Sequence, residues 1–435
     1  MAADVGDVDT DFITSYMSYI GDTESPMLYH RWCGMALLAG MLGRDCFFKF
    51  GHFNVHANMY LMLIGLPATR KSTAIKIAKK LAMASGYSTI AADKTTKEKW
   101  LMDLAAQHDS TTGEAGDILD KNLFGEEEDD ASILSKPPIE CFIMADEFND
   151  FLGNGNIEFI SMLGVLYDYE GIYRNRIKTG KSVNLPNPTI NILSGNTPTN
   201  FSLAFPPEII GQGFFSRLIL VYGEPTGKRI TFPVEPSPAA ISEMVTKIAE
   251  IKRTCSGEIL ADSKTRELLD KIYKTYKGID DVRFDHYTGR RFTHLIKLCI
   301  ICAVSRGSRN ITEKDVLLAN TVLTHTEHLM PKALGEFGKS KHSDTINKIM
   351  DVLNRATAPM TANEIYKIIS TDLDKFSDIG NLMNILTLSD KVMFVKSPAP
   401  GGFLPKKTIS VEVASSRNSA VVDFSLLTEA ERNGV

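Results

Sequence analysis

The stretch "LIGLPATRKSTAIKIAKKLA", Leu63–Ala82, has the spacing of a phosphate-binding loop in which one glycine is replaced. Such loops read G-x-x-x-x-G-K-[ST]. Gly65, Lys71 and Ser72 match that pattern, but Arg70 occupies the position of the second glycine. The stretch is therefore either a nucleotide site or the basic start of an ordinary helix.

The flanking sequence favours the nucleotide site. An apolar run of strand length, "MYLMLIG" at 59–65, precedes the loop, and "STAIKIAKKLAMA" at 72–84 follows it with apolar residues at helical spacing. The motif requires this order of strand, loop and helix, because backbone N–H groups at a helix N-terminus then bind phosphate. The expected contact residues are Gly65, Pro67, Ala68, Thr69, Arg70, Lys71, Ser72 and Thr73.

Three of these residues carry specific expectations. Lys71 should reach the β- and γ-phosphates, and the Ser72 hydroxyl should hold Mg²⁺. Arg70 is compatible with the loop if its φ angle is negative and its side chain points outward, because glycine at this position supplies no chemistry.

The composition is that of an ordinary globular protein. The chain has 435 residues, 43% of them hydrophobic and 23% charged, which is enough for about two or three domains. Its six cysteines lie mostly in apolar runs, so we expect reduced core thiols and a cytoplasmic protein, in the bacterial host if the chain is phage-encoded. "CIIC" at 299–302 lies in a helical pattern and is interpreted as core packing.

Membrane and nucleic-acid binding are not indicated by bulk properties. No signal peptide is apparent, and the apolar stretch 35–43 is too short to span a bilayer. The net charge of −5 does not favour nucleic acid, so any such binding requires a local basic feature.

Composition and periodicity divide the chain into five regions. We predict an N-terminal helical region at 1–57, with loose residues at 1–10, and an α/β core of parallel strands flanked by helices at 58–230. Residues 108–138 are acidic and form an insertion that is at least partly disordered. A helical region at 231–338, a compact unit at 343–407 and a flexible tail at 408–435 complete the prediction.

Two adjacent carboxylates follow a second apolar strand. "ECFIMADEF" at 140–148 ends in Asp146 and Glu147. Metal-assisted phosphoryl transfer needs such a pair, with Asp146 binding Mg²⁺ through water and Glu147 polarising the attacking water. An ordinary strand that enters an acidic loop is the alternative interpretation.

Two further strands carry polar residues at their ends. The apolar strand in "TINILSGNTP" at 189–198 ends at Asn196. Asn196 is expected to orient the same water or to contact the γ-phosphate, and a role in the turn alone is the alternative. Arg217 precedes the apolar strand in "GFFSRLILVYGEP" at 213–225. It is a candidate for reaching the γ-phosphate of a neighbouring subunit, with a local salt bridge as the alternative.

The order of these motifs resembles the AAA+ P-loop ATPases, most closely the minichromosome-maintenance type of replicative helicase. It also resembles phage and mobile-element proteins described as helicases or primase-helicases, which share an opening like "ESPMLYHRW…ALLAGMLGR…NMYLMLIG". The resemblance covers roughly residues 20–330. In the helicase family a loop without the second glycine is normal, although a glycine usually stands where this chain has Ala68.

The resemblance implies roles for individual residues. Asn196 would be sensor 1 and Arg217 the arginine finger. "TGRRFTHLIKLCIICAVSRGSRNITEKDVLLA" at 288–319 is similar to the sensor 2 helix and its successor, which places sensor 2 at Arg290, with Arg291 as a one-residue alternative. The region 231–338 would be the helical lid, and the whole would form a ring, expected to be a hexamer.

A basic hairpin is the expected contact with nucleic acid. "IYRNRIKTGKSVNLPNP" at 172–188 predicts a turn at Thr179-Gly180. Its basic residues are Arg174, Arg176, Lys178 and Lys181. In the helicase family a hairpin here points into the ring pore, where lysines would track a phosphate backbone without reading sequence. A solvated surface hairpin is the alternative.

The unit at 343–407 resembles a winged helix. Its second helix, "DIGNLMNILTLSD", has few basic residues, so contact with replication proteins is as well supported as DNA binding. The function expected from all these features is an ATP-driven DNA helicase or translocase that acts on single-stranded or forked DNA in phage or mobile-element replication. The alternatives are an AAA+ initiator or loader without processive unwinding, and a P-loop enzyme that acts on a small molecule.

Overall fold

A computed structural model describes residues 11–111, 129–153, 155–176, 183–205, 213–335, most of 348–405, and 421–433. Its contacts divide the chain into two units. The first comprises residues 1–337 together with 421–435, and the second comprises 338–420. The second unit is therefore an insertion in the chain of the first.

Helices and strands alternate through the first unit. Its strands are β1 Cys46–Phe50, β2 Phe53–His56, β3 Tyr60–Ile64, β4 Glu140–Ala145, β5 Ile172–Asn175, β6 Val183–Pro186, β7 Thr189–Asn196, β8 Leu218–Tyr222, β9 Gly257–Glu258, β10 Leu260–Ala261 and β11 Asn310–Ile311. Its helices are α1 Phe12–Ile20, α2 Met27–Leu42, α3 Lys71–Ala84, α4 Lys97–Thr111, α5 Asp130–Ser135, α6 Phe148–Leu152, α7 Ile157–Leu166, α8 Pro198–Ala204, α9 Pro238–Cys255, α10 Ser263–Thr275, α11 Asp285–Thr288, α12 Arg291–Ser305 and α13 Glu313–Leu334, with a C-terminal turn of helix at Glu429–Arg432.

A four-stranded parallel sheet forms the centre of this unit. The strand order is β4-β7-β3-β8, and all three neighbouring pairs are parallel. Every residue of β3 and β7 is buried, as expected for inner strands covered by helices on both faces. The predicted α/β class with a parallel sheet flanked by helices is confirmed.

The described part of the N-terminal region is helical up to Leu42, but the prediction of a helical region is wrong at 46–56. Helices α1 and α2 form as expected, and α2 is buried along almost its whole length. Residues 46–56, however, form the antiparallel hairpin β1–β2. Gly51 adopts a φ of +62° at its turn, a conformation that other residues rarely adopt. β1 also pairs with β9, far along the chain, which no local pattern indicates.

The predicted helical region after the core is confirmed by helices α9 to α13. A buried ion pair between Arg291 on α12 and Glu327 on α13, 2.9 Å from Nε to Oε1, joins its last two helices. All six cysteines are free thiols in buried positions, as expected for core residues. Among the described helices, none is both long and apolar enough to cross a membrane.

Two predicted insertions in the core are described in part. Strands β5 and β6 pair in antiparallel fashion, which confirms a hairpin, but its turn at 177–182 lies outside the described residues. The acidic stretch 108–138 is described at 108–111, which belong to α4, so its predicted start is wrong, and at 129–138, where residues 130–135 form α5. Residues 112–128, including the run "EEEDD" up to 128, lie outside the description.

The second unit has a hydrophobic core of its own. Its described elements are α14 Ala362–Ile369, α15 Phe376–Leu388, β12 Val392–Val395 and β13 Gly402–Pro405. The two strands pair in antiparallel fashion. The buried side chains include Ile365, Ile369, Ile379, Leu382 and Leu386. Two helices followed by a strand pair match the predicted element order.

The C-terminal tail is not flexible throughout, which corrects the prediction for 408–435. Val421 and Leu427 join the core of the first unit. Glu431 is fully buried and forms an ion pair with Arg31 on α2. Its backbone carbonyl lies 2.7 Å from His325 Nε2 on α13. The tail composition is polar, but a few apolar residues and one buried carboxylate suffice to anchor it.

We expect Glu431→Ala to destabilise the first unit by about 3 kcal/mol, because removing one partner leaves the other charge of a buried pair uncompensated. Urea denaturation of the full chain measures the change. Glu429→Ala, in the same turn of helix but exposed, is the matched control and should change stability by no more than about 0.5 kcal/mol. Equal stability of the two variants would show that the ion pair does not anchor the tail.

Candidate functional site

The loop that follows β3 is anchored by a tyrosine on α2. The Tyr29 hydroxyl donates to the carbonyl of Ile64 at 2.7 Å. Burial raises the pKa of the Tyr29 phenol, so the group stays protonated and remains a donor. A Cβ atom at Gly65 would lie 2.5 Å from this hydroxyl and 2.8 Å from Thr69 Oγ1. Gly65 is therefore required by close packing, independently of any ligand.

Arg70 does not have the negative φ that the sequence analysis expects. Its φ is +58°, and that of Ala68 is +69°. Both residues adopt the left-handed conformation that glycine usually supplies, at a cost of about 1–2 kcal/mol each. The other half of the expectation is correct, because the Arg70 side chain points outward and its Nε lies 2.6 Å from Glu24 Oε2.

Contacts from the segment 22–25 hold this unusual backbone. Ser25 Oγ donates to the carbonyl of Arg70 at 2.7 Å. The second carboxylate oxygen of Glu24 accepts from the backbone N–H of Ile230 at 2.8 Å. Since the Arg70 guanidinium is half exposed, solvent screens its ion pair, which contributes little to stability. Glu24 thus links the loop to the segment that leaves the core.

Lys71 begins α3 and turns its ammonium back onto the loop. Nζ donates to the carbonyls of Gly65 at 2.9 Å and Leu66 at 3.1 Å, and to Thr69 Oγ1 at 3.1 Å. Burial lowers the pKa of Lys71, and the charge of Glu147 opposes that shift. These acceptors are neutral, so an anionic phosphate at the loop would bind the ammonium more strongly than they do.

The two carboxylates lie at the same edge of the sheet as the loop. Parallel pairing of β4, β7 and β3 brings their carboxyl ends together. A Cβ atom at Gly195 of β7 would lie 2.6 Å from the carbonyl of Asp146 and 3.5 Å from Lys71 Cβ. The absence of a side chain at Gly195 therefore allows the end of β4 and the start of α3 to meet.

The predicted magnesium ligands are oxygen donors of the kind that this ion prefers. Ser72 lies in the first turn of α3, and Asp146 ends β4. One oxygen of Asp146 is 2.7 Å from Lys76 Nζ in a largely exposed ion pair. Ser72 and Asp146 fit a hydrated Mg²⁺ bound to phosphate oxygens, provided that Lys76 shares the carboxylate.

Two cavities lie near the candidate residues. One of about 680 Å³ is lined by Glu147, Asn149, Asn200, Lys94 and Lys97, among others. A smaller cavity of about 260 Å³ is lined by apolar and polar side chains, among them Ile20, Ile77, Ile230, Arg70 and Thr73. The first adjoins the carboxylate Glu147, and the second adjoins the start of α3.

Arg217 and Arg290 lie beside the amino ends of the parallel strands, opposite the carboxyl ends where the loop begins. Arg217 immediately precedes β8, whose first residue, Leu218, pairs in parallel with Tyr60, the first residue of β3. The candidate loop follows the other end of β3, roughly 15 Å away at about 3.3 Å per residue. Neither arginine is thus placed to reach the loop of its own chain.

At the amino ends of the strands, Asp168 forms ion pairs with two basic side chains. One of its oxygens lies 3.2 Å from Arg290, and the other lies 3.2 Å from Lys297. Burial and the charge of Arg290 lower the pKa of Arg217, and Asp168 opposes this. Arg217 Nε is buried without a hydrogen-bond partner among the described residues. This cluster, Arg217, Arg290, Lys297 and Asp168, has an excess of positive charge.

Arg290 and Arg291, the two alternatives for the predicted sensor 2 position, differ in burial. Arg291 is 2% exposed and is committed to Glu327. Arg290 retains about one third of its side-chain exposure. Arg290 is thus the one of the two that a ligand or partner can reach.

The basic hairpin is less free than its sequence indicates. Arg174 on β5 forms an ion pair with Asp130 on α5. Arg176 follows the end of β5, and Lys178 and Lys181 lie outside the described residues. Pairing with the acidic insertion therefore neutralises one of the four predicted contacts.

Sequence reasoning did not select Glu24, Tyr29, Asn149 or Asn200 as site residues. Each contacts a partner distant in sequence. Glu24 forms an ion pair with Arg70, for example, and Asn200 donates a hydrogen bond to Glu147. The only local signal is Thr197-Pro198, a helix start that places Asn200 in the first turn of α8. Comparison of the chain with models of known protein families and with curated proteins found no match.

We expect Ala68→Gly to stabilise the protein by about 1 kcal/mol, because glycine removes the cost of the positive φ at this exposed loop position. Urea denaturation provides the measurement. Ala249→Gly, at an exposed position inside α9, is the control and should lose about 1 kcal/mol. Destabilisation by Ala68→Gly would mean that the left-handed conformation is not required there.

Proposed function

We propose that this protein is an ATP-driven, ring-forming helicase or translocase that acts on DNA. One observation carries the proposal. Lys71, Asp146, Glu147 and Asn196 lie together at one edge of a parallel sheet, while Arg217 and Arg290 lie at the opposite edge of the same chain. A complete site for phosphoryl transfer then needs both edges, and two copies of the chain supply them.

The residues at the first edge would divide the work of hydrolysis. Lys71 would exchange its loop carbonyls for the β- and γ-phosphates, and Asp146 with Ser72 would hold Mg²⁺, which neutralises developing phosphate charge. Glu147, at the rim of the larger cavity, would orient and deprotonate water. The smaller cavity beside Thr73 and Ile77 offers apolar contacts for the base.

The residues at the second edge support a closed ring. A partly exposed arginine roughly 15 Å from its own loop would complete only the site of a neighbour. Head-to-tail contacts of this kind close into rings when the rotation allows it, and a hexamer is the proposed assembly. Arg290 and Arg217 would then approach the neighbour's γ-phosphate together, with Asp168 setting their position.

The link to DNA rests on the hairpin β5–β6. Along the chain it lies between the carboxylates and Asn196, and β6 leads into the start of β7, whose other end is Asn196, so movement at the nucleotide would reach the hairpin through β7. Arg176, Lys178 and Lys181 would contact phosphates along a strand without reading bases. Strand displacement from a forked duplex tests the whole proposal, and ATP hydrolysis without strand displacement would favour a loader instead.

The first prediction for this function is that Lys71→Ala abolishes ATP hydrolysis and weakens ATP binding, because the loop then lacks the cation for the phosphates. Glu147→Gln should retain ATP binding and stop hydrolysis. Fluorescent-nucleotide titration and phosphate release measure the two effects. Wild-type hydrolysis by Lys71→Ala would end the nucleotide-site interpretation, and loss of binding in Glu147→Gln would mean that the carboxylate roles are misassigned.

Subunit mixing tests whether Arg217 acts on a neighbour. Arg217→Ala subunits and Lys71→Ala subunits should each be inactive, yet a mixture should recover part of the ATP hydrolysis, since some interfaces pair an intact loop with an intact arginine. Native mass spectrometry must first show that the two variants co-assemble. Co-assembled but inactive mixtures would assign Arg217 to its own chain.

The hairpin provides the test of DNA binding. Lys178→Ala combined with Lys181→Ala should abolish unwinding and leave basal ATP hydrolysis intact, because neither residue belongs to the nucleotide site. The salt dependence of single-strand binding should flatten by a slope of roughly 0.7 for each lost phosphate contact, equally for all DNA sequences. Normal unwinding by the double variant would make the hairpin a surface feature.

A further inference from the structure

Three asparagines connect the end of β7 to the carboxylate that follows β4. Asn196 Nδ2 donates to Asn149 Oδ1 at 2.8 Å. Asn149 Nδ2 donates to the backbone carbonyl of Asn200 at 2.9 Å. Asn200 Nδ2 in turn donates to Glu147 Oε2 at 3.1 Å. We call these three residues the asparagine chain.

The direction of the asparagine chain is determined at both ends. Asn196 Oδ1 accepts from the backbone N–H of Thr197 at 3.0 Å, so its amide nitrogen must face Asn149. At the other end a carboxylate can only accept, so Asn200 must present its nitrogen to Glu147. A reversed amide at Asn149 would place two nitrogen donors against each other on the Asn196 side and two oxygens against each other on the Asn200 side. The three amides therefore have one mutually consistent orientation.

The asparagine chain lies between the nucleotide loop and the larger cavity. Asn196 is fully buried, and its backbone carbonyl accepts from the N–H of Gly65 at 3.4 Å. Glu147, Asn149 and Asn200 all line the cavity of about 680 Å³. A change at the loop thus has a path to Glu147 that runs through these hydrogen bonds and through the backbone of Asn196 and Asn200.

We propose that Asn200 and Asn149 are positioning residues for Glu147, which they hold in a geometry set by Asn196. This inference rests on the proposed function, ATP hydrolysis with Glu147 as the base. A phosphate that accepts a hydrogen bond from the Asn196 amide alters the hydrogen bond from Asn196 to Asn149. That change passes through Asn200 to the Glu147 carboxylate. The orientation of the catalytic base is then coupled to the binding of nucleotide at the loop.

A purely structural role for the asparagine chain makes a different prediction. Asn149 and Asn200 also tie α6 to α8, so their loss could simply loosen these two short helices. In that case protein stability and nucleotide affinity would fall together with turnover. A positioning role instead lowers kcat and leaves the Kd for nucleotide and the melting temperature close to wild type.

The test compares Asn200→Ala and Asn200→Asp in the full chain. Asn200→Ala should lower kcat roughly tenfold, which is the weight of one hydrogen bond to a charged group. Asn200→Asp keeps the shape but replaces the donor by a negative charge facing Glu147, so its loss should be larger. Ser202→Ala, at an exposed position on the same helix, is the control and should hydrolyse ATP like wild type.

A double-mutant cycle tests the connection itself. Asn149→Ala alone should lower kcat about as much as Asn200→Ala, and the combined variant should lose little more, because either change already breaks the path. Additive losses would show that the two residues act separately.

Several results would overturn the inference while leaving the proposed function standing. These are wild-type kcat in Asn200→Ala, equal loss in the Ala and Asp variants, or a fall in melting temperature that accounts for the loss. Failure of the proposed function has a different signature, namely hydrolysis by Lys71→Ala at the wild-type rate. Both results can be read from the same ATPase assay.

Discussion

The contact between Tyr29 and the ends of two strands determines where the candidate site begins. Its hydroxyl donates to the carbonyl of Ile64, and its ring lies so close to Gly223 that a Cβ atom there would be 2.8 Å from Tyr29 Cζ. Glycine at both 65 and 223 allows α2 to approach the carboxyl edge of β3 and β8. The loop then leaves β3 in a defined direction, and α3 starts where its N-terminus can face an anion.

A glycine also allows two segments to approach each other closely at the centre of the site. Gly195 removes the side chain that would separate the carbonyl of Asp146 from the body of Lys71. The left-handed backbone of Ala68 and Arg70 is held by contacts from Ser25 and Glu24, which lie outside the motif. Contacts from outside the motif therefore stabilise the loop conformation, which is locally unfavourable for Ala68 and Arg70 themselves.

The two edges of the sheet have different electrostatic characters. At the carboxyl edge, Lys71, Lys76, Asp146 and Glu147 balance one another. At the amino ends of the strands, the Asp168 carboxylate faces Lys297, Arg290 and Arg217, and the carboxylate of Glu140, at the start of β4, lies beside Arg44. Buried His294 beside Asp168 has a pKa lowered to about 4 by burial, so it adds no further charge at neutral pH. The two ends of the strands therefore carry separate groups of charged side chains, one around Lys71 and Glu147 and the other around Asp168.

The sequence by itself determined the strands of the central sheet and the polar residues beside their ends. Apolar runs predicted β3, β4, β7 and β8, and the candidates Asp146, Glu147, Asn196 and Arg217 follow, end or precede these strands. These predictions succeed because strand formation and the position of a residue at a strand end depend on neighbours in sequence. The pairing of β1 with β9, the docked tail at Glu431 and the positive φ at Arg70 were not predicted, because each depends on a partner far along the chain. Only the tertiary structure separated Arg290 from the buried Arg291 and placed the arginines opposite the loop, because burial and strand order arise when distant segments pack together.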